Sequence, residues 1–209
     1  MDSHAPEQRR LGDALRPYLQ KEPIGALLLG LSSGAPFAMI ASTLTTRLAE
    51  SGIDKKTVTA FALIFLFYNF KFLWAPLMDR FEPPLLGRRR GWLVSTQLLL
   101  AAVLAWMAGL APAQQPALFA LAALATAFLS ASQDVVVDAY RTDVLAARER
   151  GLGGSLSVFG YRLAMILSGG VAFIWAEQWG SWPKVYAAVA AYLAALILLF
   201  HLFTRVWNQ

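Results

Sequence analysis

Apolar residues along this chain fall into six long blocks of about twenty residues each, the length a helix needs to cross a bilayer. Polar residues collect in the short connections between the blocks and at the two ends. The pattern predicts spanning helices over Pro23 to Thr46, Thr57 to Met78, Gly91 to Ala111, Pro116 to Ala139, Gly151 to Ala176 and Pro183 to Thr204. Connections this short leave no room for a separate soluble domain. The expected fold class is therefore all-α, a polytopic bundle of six transmembrane helices over residues 23–204. Residues 1–22 read as a polar tail that ends in a short interfacial helix, and residues 205–209 as a second short tail.

Composition agrees with a membrane solvent. Of the 209 residues, 57% are hydrophobic and 15% charged, whereas about a quarter are charged in soluble domains. The net charge of +5 does not point to nucleic acid, because the basic residues sit in the connections. Arg9, Arg10, Arg16, Lys21, Arg80, Arg88, Arg89, Arg90, Arg141, Arg148, Arg150 and Arg205 fall on one side, and Arg47, Lys55, Lys56 and Lys184 on the other. Cytoplasmic connections carry the excess of Lys and Arg, so both termini are expected in the cytoplasm. Trp175, Trp179 and Trp182 would then mark the outer interface as an aromatic belt.

Some positions break the apolar pattern. The first block contains SSGAPF, with Gly34 and Pro36 near its middle. Proline removes an intrahelical hydrogen bond and bends a helix, so the segment reads either as a hinge beside a substrate path or as tight packing through small residues. Lys71 lies inside the second block, ~10 Å from the inner end at the helical rise. It can snorkel to the interface or face the interior, where Tyr68 and Asn69 offer polar company. The fifth block carries Gly153, Gly154, Gly160, Gly169 and Gly170, a density that lets helices approach closely.

The densest candidate chemistry is SASQDVVVDAYRTDVLAARERGLGGSLSVFGYR, from Ser130 to Arg162. No charged residue lies between Gly91 and Gln133; then Gln133, Asp134 and Asp138 appear on one helix. Asp134, Asp138 and Arg141 are spaced i, i+4, i+7 and share a face. Counting the rise per residue puts Asp134 ~10 Å and Arg162 ~15 Å from the inner ends of their helices, near the level of Lys71. A charge at the centre of a span costs about 2.5–3.5 kcal/mol on insertion scales, so such residues usually face a partner or a wet cavity. Lys71, Gln133, Asp134, Asp138 and Arg162 are thus candidates for a substrate or proton pathway. A buried carboxylate can exchange a proton, since desolvation favours its neutral form and a nearby cation its charged form. The competing reading is a static ion-pair network that fixes helix register.

Other chemistry is not visible. Cysteine is absent and there are two histidines, His4 and His201, near the ends, so no metal site or cofactor is expected. There is no phosphate loop and no nucleophile elbow. GLGGSLSVFG is Gly-rich but opens a spanning helix with no strand before it. An enzyme is therefore not expected. The first apolar block is too long for a cleavable signal and lacks a small-residue exit.

Asp79-Arg80 followed by Gly87-Arg88-Arg89-Arg90 resembles the loop signature between the second and third helices of the major facilitator superfamily. It departs from the usual pattern. Ala75 stands where a Gly is expected, and the spacer before Gly87 is long and contains Pro83 and Pro84. More specifically, KFLWAPLMDR, LGRRRGWL, SASQDVVVDAYRTDVL, ERGLGG and GYRLAMILSGG resemble the AmpG family of muropeptide permeases, from about Leu27 to Tyr192. The resemblance implies a bacterial inner-membrane transporter that imports anhydro-muropeptides for cell-wall recycling, driven by the proton gradient. In three-helix inverted repeats the second and fifth helices correspond, and each here carries an intramembrane cation, Lys71 and Arg162.

The family implies twelve helices around a site between two halves, whereas six blocks are present. A truncated product, a split gene product and a half that pairs with a second six-helix chain, or with a copy of itself, all remain open. Two other functions stay beside the proton-coupled transporter: a non-transporting membrane interaction protein, and a carrier of another substrate such as an acyl-CoA. Fold alone does not choose among them.

Overall fold

The computed structural model describes residues 16–83 and 86–207. Its described residues form helices and turns. Six helical stretches are long and apolar enough to cross a membrane: Lys21–Glu50, Lys55–Leu73, Arg88–Gly109, Pro116–Asp143, Arg150–Trp179 and Trp182–Leu202. These are the first to sixth helices below. The all-α, six-span bundle expected from the blocks is the fold observed.

The ends of the helices differ from the sequence reading, and each difference moves a charged residue. The first helix runs past Thr46 to Glu50, so Arg47 belongs to a helix and not to a loop. The third begins at Arg88, which puts all three arginines in its first turn. The fourth runs to Val144 and carries Arg141 with it. The sixth reaches Trp207, past the expected stop at Thr204. Helices extend beyond the hydrocarbon because hydrogen bonding continues where polar side chains meet water. At the start of the chain a 3-10 turn over Arg16–Leu19 precedes the first helix; the rest of the expected tail lies outside the described residues.

The second span, expected to be one continuous helix, is broken. Lys55–Ala60 is α, Phe61–Phe65 3-10, Leu66–Phe70 α and Lys71–Leu73 3-10; Ala75–Arg80 follows with Pro76 in its first turn. A proline within that run has no N–H to continue the hydrogen-bond ladder. The span begins with a true cap, where Asp54 Oδ1 accepts from the Thr57 amide at 3.0 Å and Oδ2 from its hydroxyl at 2.6 Å. These bonds hold the Asp54 carboxyl below its ordinary range. This helix lies at the edge of the bundle: 6% of its apolar window is buried, against 61% for the first.

The first and fifth helices are the most closely joined pair. A Cβ on Gly30 would strike the Ser157 carbonyl, one on Gly34 the Tyr161 carbonyl, and one on Gly160 the Leu27 carbonyl. Here SSGAPF packs tightly, and Pro36 stands inside the same helix, where it lacks the N–H for the Ser32 carbonyl. Past Pro36 the first helix widens into a π segment over Met39–Thr43. The fifth does the same over Ile166–Val171, and the two π segments touch. Among the fifth helix's glycines, Gly154 and Gly170 face open space, so close packing does not account for them.

The main core lies between the first, third, fourth and sixth helices, around Met39, Leu44, Leu100, Leu104, Met107, Phe119 and Leu193. Arg47 is sealed into the end of this core and is 2% exposed. Its guanidinium donates to the carbonyls of Met107 at 3.0 Å and Leu110 at 2.6 Å at the end of the third helix, where the Leu110 amide also reaches the Met107 carbonyl. It lies between the rings of Phe119 and Tyr186, 4.9 and 4.6 Å from their centroids. Arg47 is thus a buried fastener of four helices.

Candidate functional site

A polar pocket of about 240 Å³ opens between the first, fourth and fifth helices. The i, i+4, i+7 face of the fourth helix supplies Asp134, Asp138 and Arg141. The first helix adds Gly30 and Ser33, and the fifth adds Ser157, Tyr161 and Arg162. The glycine contacts set this shape, since they bring the first and fifth helices close enough for Ser33 and Tyr161 to wall the same space.

Asp134 is the centre of the site. The Ser33 hydroxyl donates to its Oδ1. Lys71 Nζ stands 3.9 Å from its Oδ2, with Asp134 15% and Lys71 33% exposed. Lys71 therefore turns toward the interior. The 3-10 segment that begins at Lys71 marks where the second helix departs from a regular α path beside Asp134. Asp138 and Arg141 pair at 3.1 Å toward the far end of the pocket and are more exposed.

Two expected members of the cluster differ from the sequence reading. Arg162 lines the same pocket as Asp134 but is exposed, not buried, and makes no ion pair with Asp134 among the described residues. Gln133 is fully buried and points away from the pocket. Its Nε2 donates to Ser32 Oγ at 3.1 Å and to the Ser32 carbonyl at 3.3 Å. That carbonyl is the one Pro36, lacking an N–H, cannot serve. Gln133 thus completes the hydrogen bonding around Pro36.

Near the pocket, the hydroxyls of Tyr68 and Ser130 are buried and interact with each other across the second and fourth helices. Trp74 Nε1 donates to Ser132 Oγ at 3.0 Å and ties the second helix to the fourth.

The arginine-rich motif has a definite geometry. Arg89 bridges two helices, with Nη1 2.5 Å from Asp79 Oδ1 and Nε 2.7 Å from Asp143 Oδ2. Arg88 donates to the Asp79 carbonyl at 3.0 Å. Gly87 turns the chain into the third helix with φ of 76°, a region that favours glycine. Arg80 and Arg90 are exposed. Asp143 did not emerge from the sequence; its signal is an acid at the end of an apolar block, paired with Arg89 in the fold.

Among the described residues no group of three or more His, Asp or Glu could hold a metal. A carboxylate with a hydroxyl and an ammonium beside it thus stands in the wall of a cavity within a bundle of six membrane-length helices. Residues 24–206 match the Major Facilitator Superfamily, and the chain belongs to that superfamily. Over 184 residues, 88% of this chain, it is 47% identical to the anhydromuropeptide permease of Escherichia coli K12, covering 38% of that protein. It is 36% identical to the AmpG 4 protein of Rickettsia conorii over 78% of this chain and 40% of that one. The AmpG 3 protein of Rickettsia prowazekii is 32% identical over the same shares. The chain thus spans about two fifths of the length of the curated relatives it matches.

Proposed function

We propose that this chain forms the first half of a proton-coupled secondary transporter in the bacterial inner membrane, with both termini cytoplasmic, and that the substrate is an anhydro-muropeptide. It is not an enzyme in this reading. The observation that carries it is Asp134, held within a membrane-spanning helix by Ser33 and Lys71 at the wall of a polar pocket. Lys71 favours the charged carboxylate and desolvation favours the neutral one. A change in which side admits water shifts that balance, so proton binding can be tied to movement. Arg141 and Arg162 give the pocket cationic walls suited to the carboxylates of a peptide-bearing sugar. The permease name of the relative at 47% identity supports this substrate over an acyl-CoA.

The pocket wall is incomplete in these six helices, because Arg162 and Asp138 are exposed on one face. A second six-helix half covers that face in the working transporter. The direct test is a chimera with this chain in place of the matched segment of the Escherichia coli permease. In cells lacking their own permease it should take up labelled anhydro-muropeptide and stop when the proton gradient is collapsed. A chimera that inserts normally and takes up none would overturn the reading.

A further inference from the structure

Directly beyond Asp134, on the side away from Arg141, four aromatic rings meet. Phe37 is their centre. Its ring lies edge-on to Tyr68 with centroids 5.1 Å apart, and is 5.9 Å from Phe65 and 6.0 Å from Tyr161. The register is regular. Phe37 is one turn beyond Ser33, Tyr68 about one turn before Lys71, and Ser130 one turn before Asp134, all displaced the same way along their antiparallel helices. Tyr161 belongs to both levels, as pocket wall and as ring contact. Toward the other end the walls continue through Val137 to Asp138 and Arg141, which are partly exposed. The pocket thus runs from Tyr161, against which Phe37 packs, to Asp138 and Arg141 at its other end.

The position of Phe37 depends on the proline next to it. Pro36 precedes it, the π segment begins two residues later at Met39, and Gln133 bonds the Ser32 carbonyl that Pro36 leaves free. The Tyr68 hydroxyl on one of these rings and the Ser130 hydroxyl are buried at this level and interact with each other.

We infer that Phe37 seals the polar pocket on the side away from Arg141, and that Gln133 is a positioning residue that keeps the seal shut by holding the first helix at Pro36. The inference rests on the pocket being the transport route, but its test reads access, not uptake.

The chain has no cysteine, so one introduced thiol reports alone. Val158 lines the pocket and is 55% exposed; Arg148, 87% exposed, marks the side of the Arg141 end. V158C and R148C are placed in the chimera that supplies the second half, with any cysteines of that half replaced, and sealed vesicles are treated with a charged, membrane-impermeant methanethiosulfonate from each side in turn. V158C should react from the same side as R148C and stay at background from the other. Adding Phe37→Ala should raise the opposite-side rate from background to one comparable with the first, Gln133→Met should raise it partway, and Phe37→Trp should leave it at background. Reaction of V158C from both sides or from neither, or F37A as one-sided as its parent, would overturn the inference. Loss of uptake in the chimera with this sidedness intact would count against the transport reading and not against the seal.

Discussion

Lys71 Nζ stands 3.9 Å from Asp134 Oδ2 and joins the second helix to the fourth inside the membrane-spanning region. The distance is long for a charge-assisted hydrogen bond, which runs to about 2.7–2.9 Å. Lys71 therefore acts mainly as a nearby positive charge, while Ser33 makes the close contact. A carboxylate with one fixed donor and one loosely placed cation can change protonation without dismantling its surroundings. Exchange of a proton at Asp134 needs this property, and a rigid bidentate pair would lack it.

The fastening at Arg47 gives the first prediction. Arg47→Ala leaves the Leu110 carbonyl without this donor, at a cost of about 1–3 kcal/mol, while the Met107 carbonyl keeps the Leu110 amide. Arg47→Lys should recover part of the loss, since one ammonium lacks the guanidinium's planar fork. Thermal unfolding in detergent should rank the parent above R47K and R47K above R47A.

A second prediction concerns the join between the first and fifth helices. Gly34→Ala places a methyl against the Tyr161 carbonyl, and overpacking of this kind costs about 1–3 kcal/mol. Gly154→Ala meets open space and should be neutral or slightly stabilising, because alanine is the better helix former. The two variants in the same unfolding assay should differ in sign or clearly in size.

The arginine motif gives a third. Arg89→Ala removes two ion pairs and should lower stability by about 1 kcal/mol, an effect that fades in high salt. Arg90→Ala should have no measurable effect on stability. If R90A and R89A fall equally, the bridge from Asp79 to Asp143 does not hold these helix ends together.

Orientation supplies the fourth. Reporter fusions after Gln114 and after Trp179 should read the periplasm if both termini are cytoplasmic. A cytoplasmic signal at either point would reverse the assignment.

Much of this fold was legible because the bilayer demands apolar blocks of fixed length, and the blocks are long and clear. Their ends were less legible, since a helix continues past the hydrocarbon where polar side chains meet water, as at Arg141, or where a buried partner holds a charge, as at Arg47. The face shared by Asp134, Asp138 and Arg141 follows from helical spacing alone. Depth along a helix does not give rotation, so Arg162 lines the pocket exposed and unpaired with Asp134, and Gln133, beside Asp134, turns away from the pocket. The breaks in the second helix and the close approach of Gly34 to Tyr161 depend on neighbours distant in the chain. Arg47 was hidden because a cation beside a predicted loop looks like any other loop charge, and its partners are backbone carbonyls.

The central claim is that Asp134 carries the proton. The most direct measurement is gradient-driven uptake of labelled anhydro-muropeptide by the chimera with the Escherichia coli permease, comparing the parent with Asp134→Asn at equal membrane abundance. Asparagine keeps the size and can still accept from Ser33, but it cannot take up and release a proton. The account predicts that D134N loses gradient-driven uptake while inserting normally. Gradient-driven uptake by D134N at the parent's rate would contradict it.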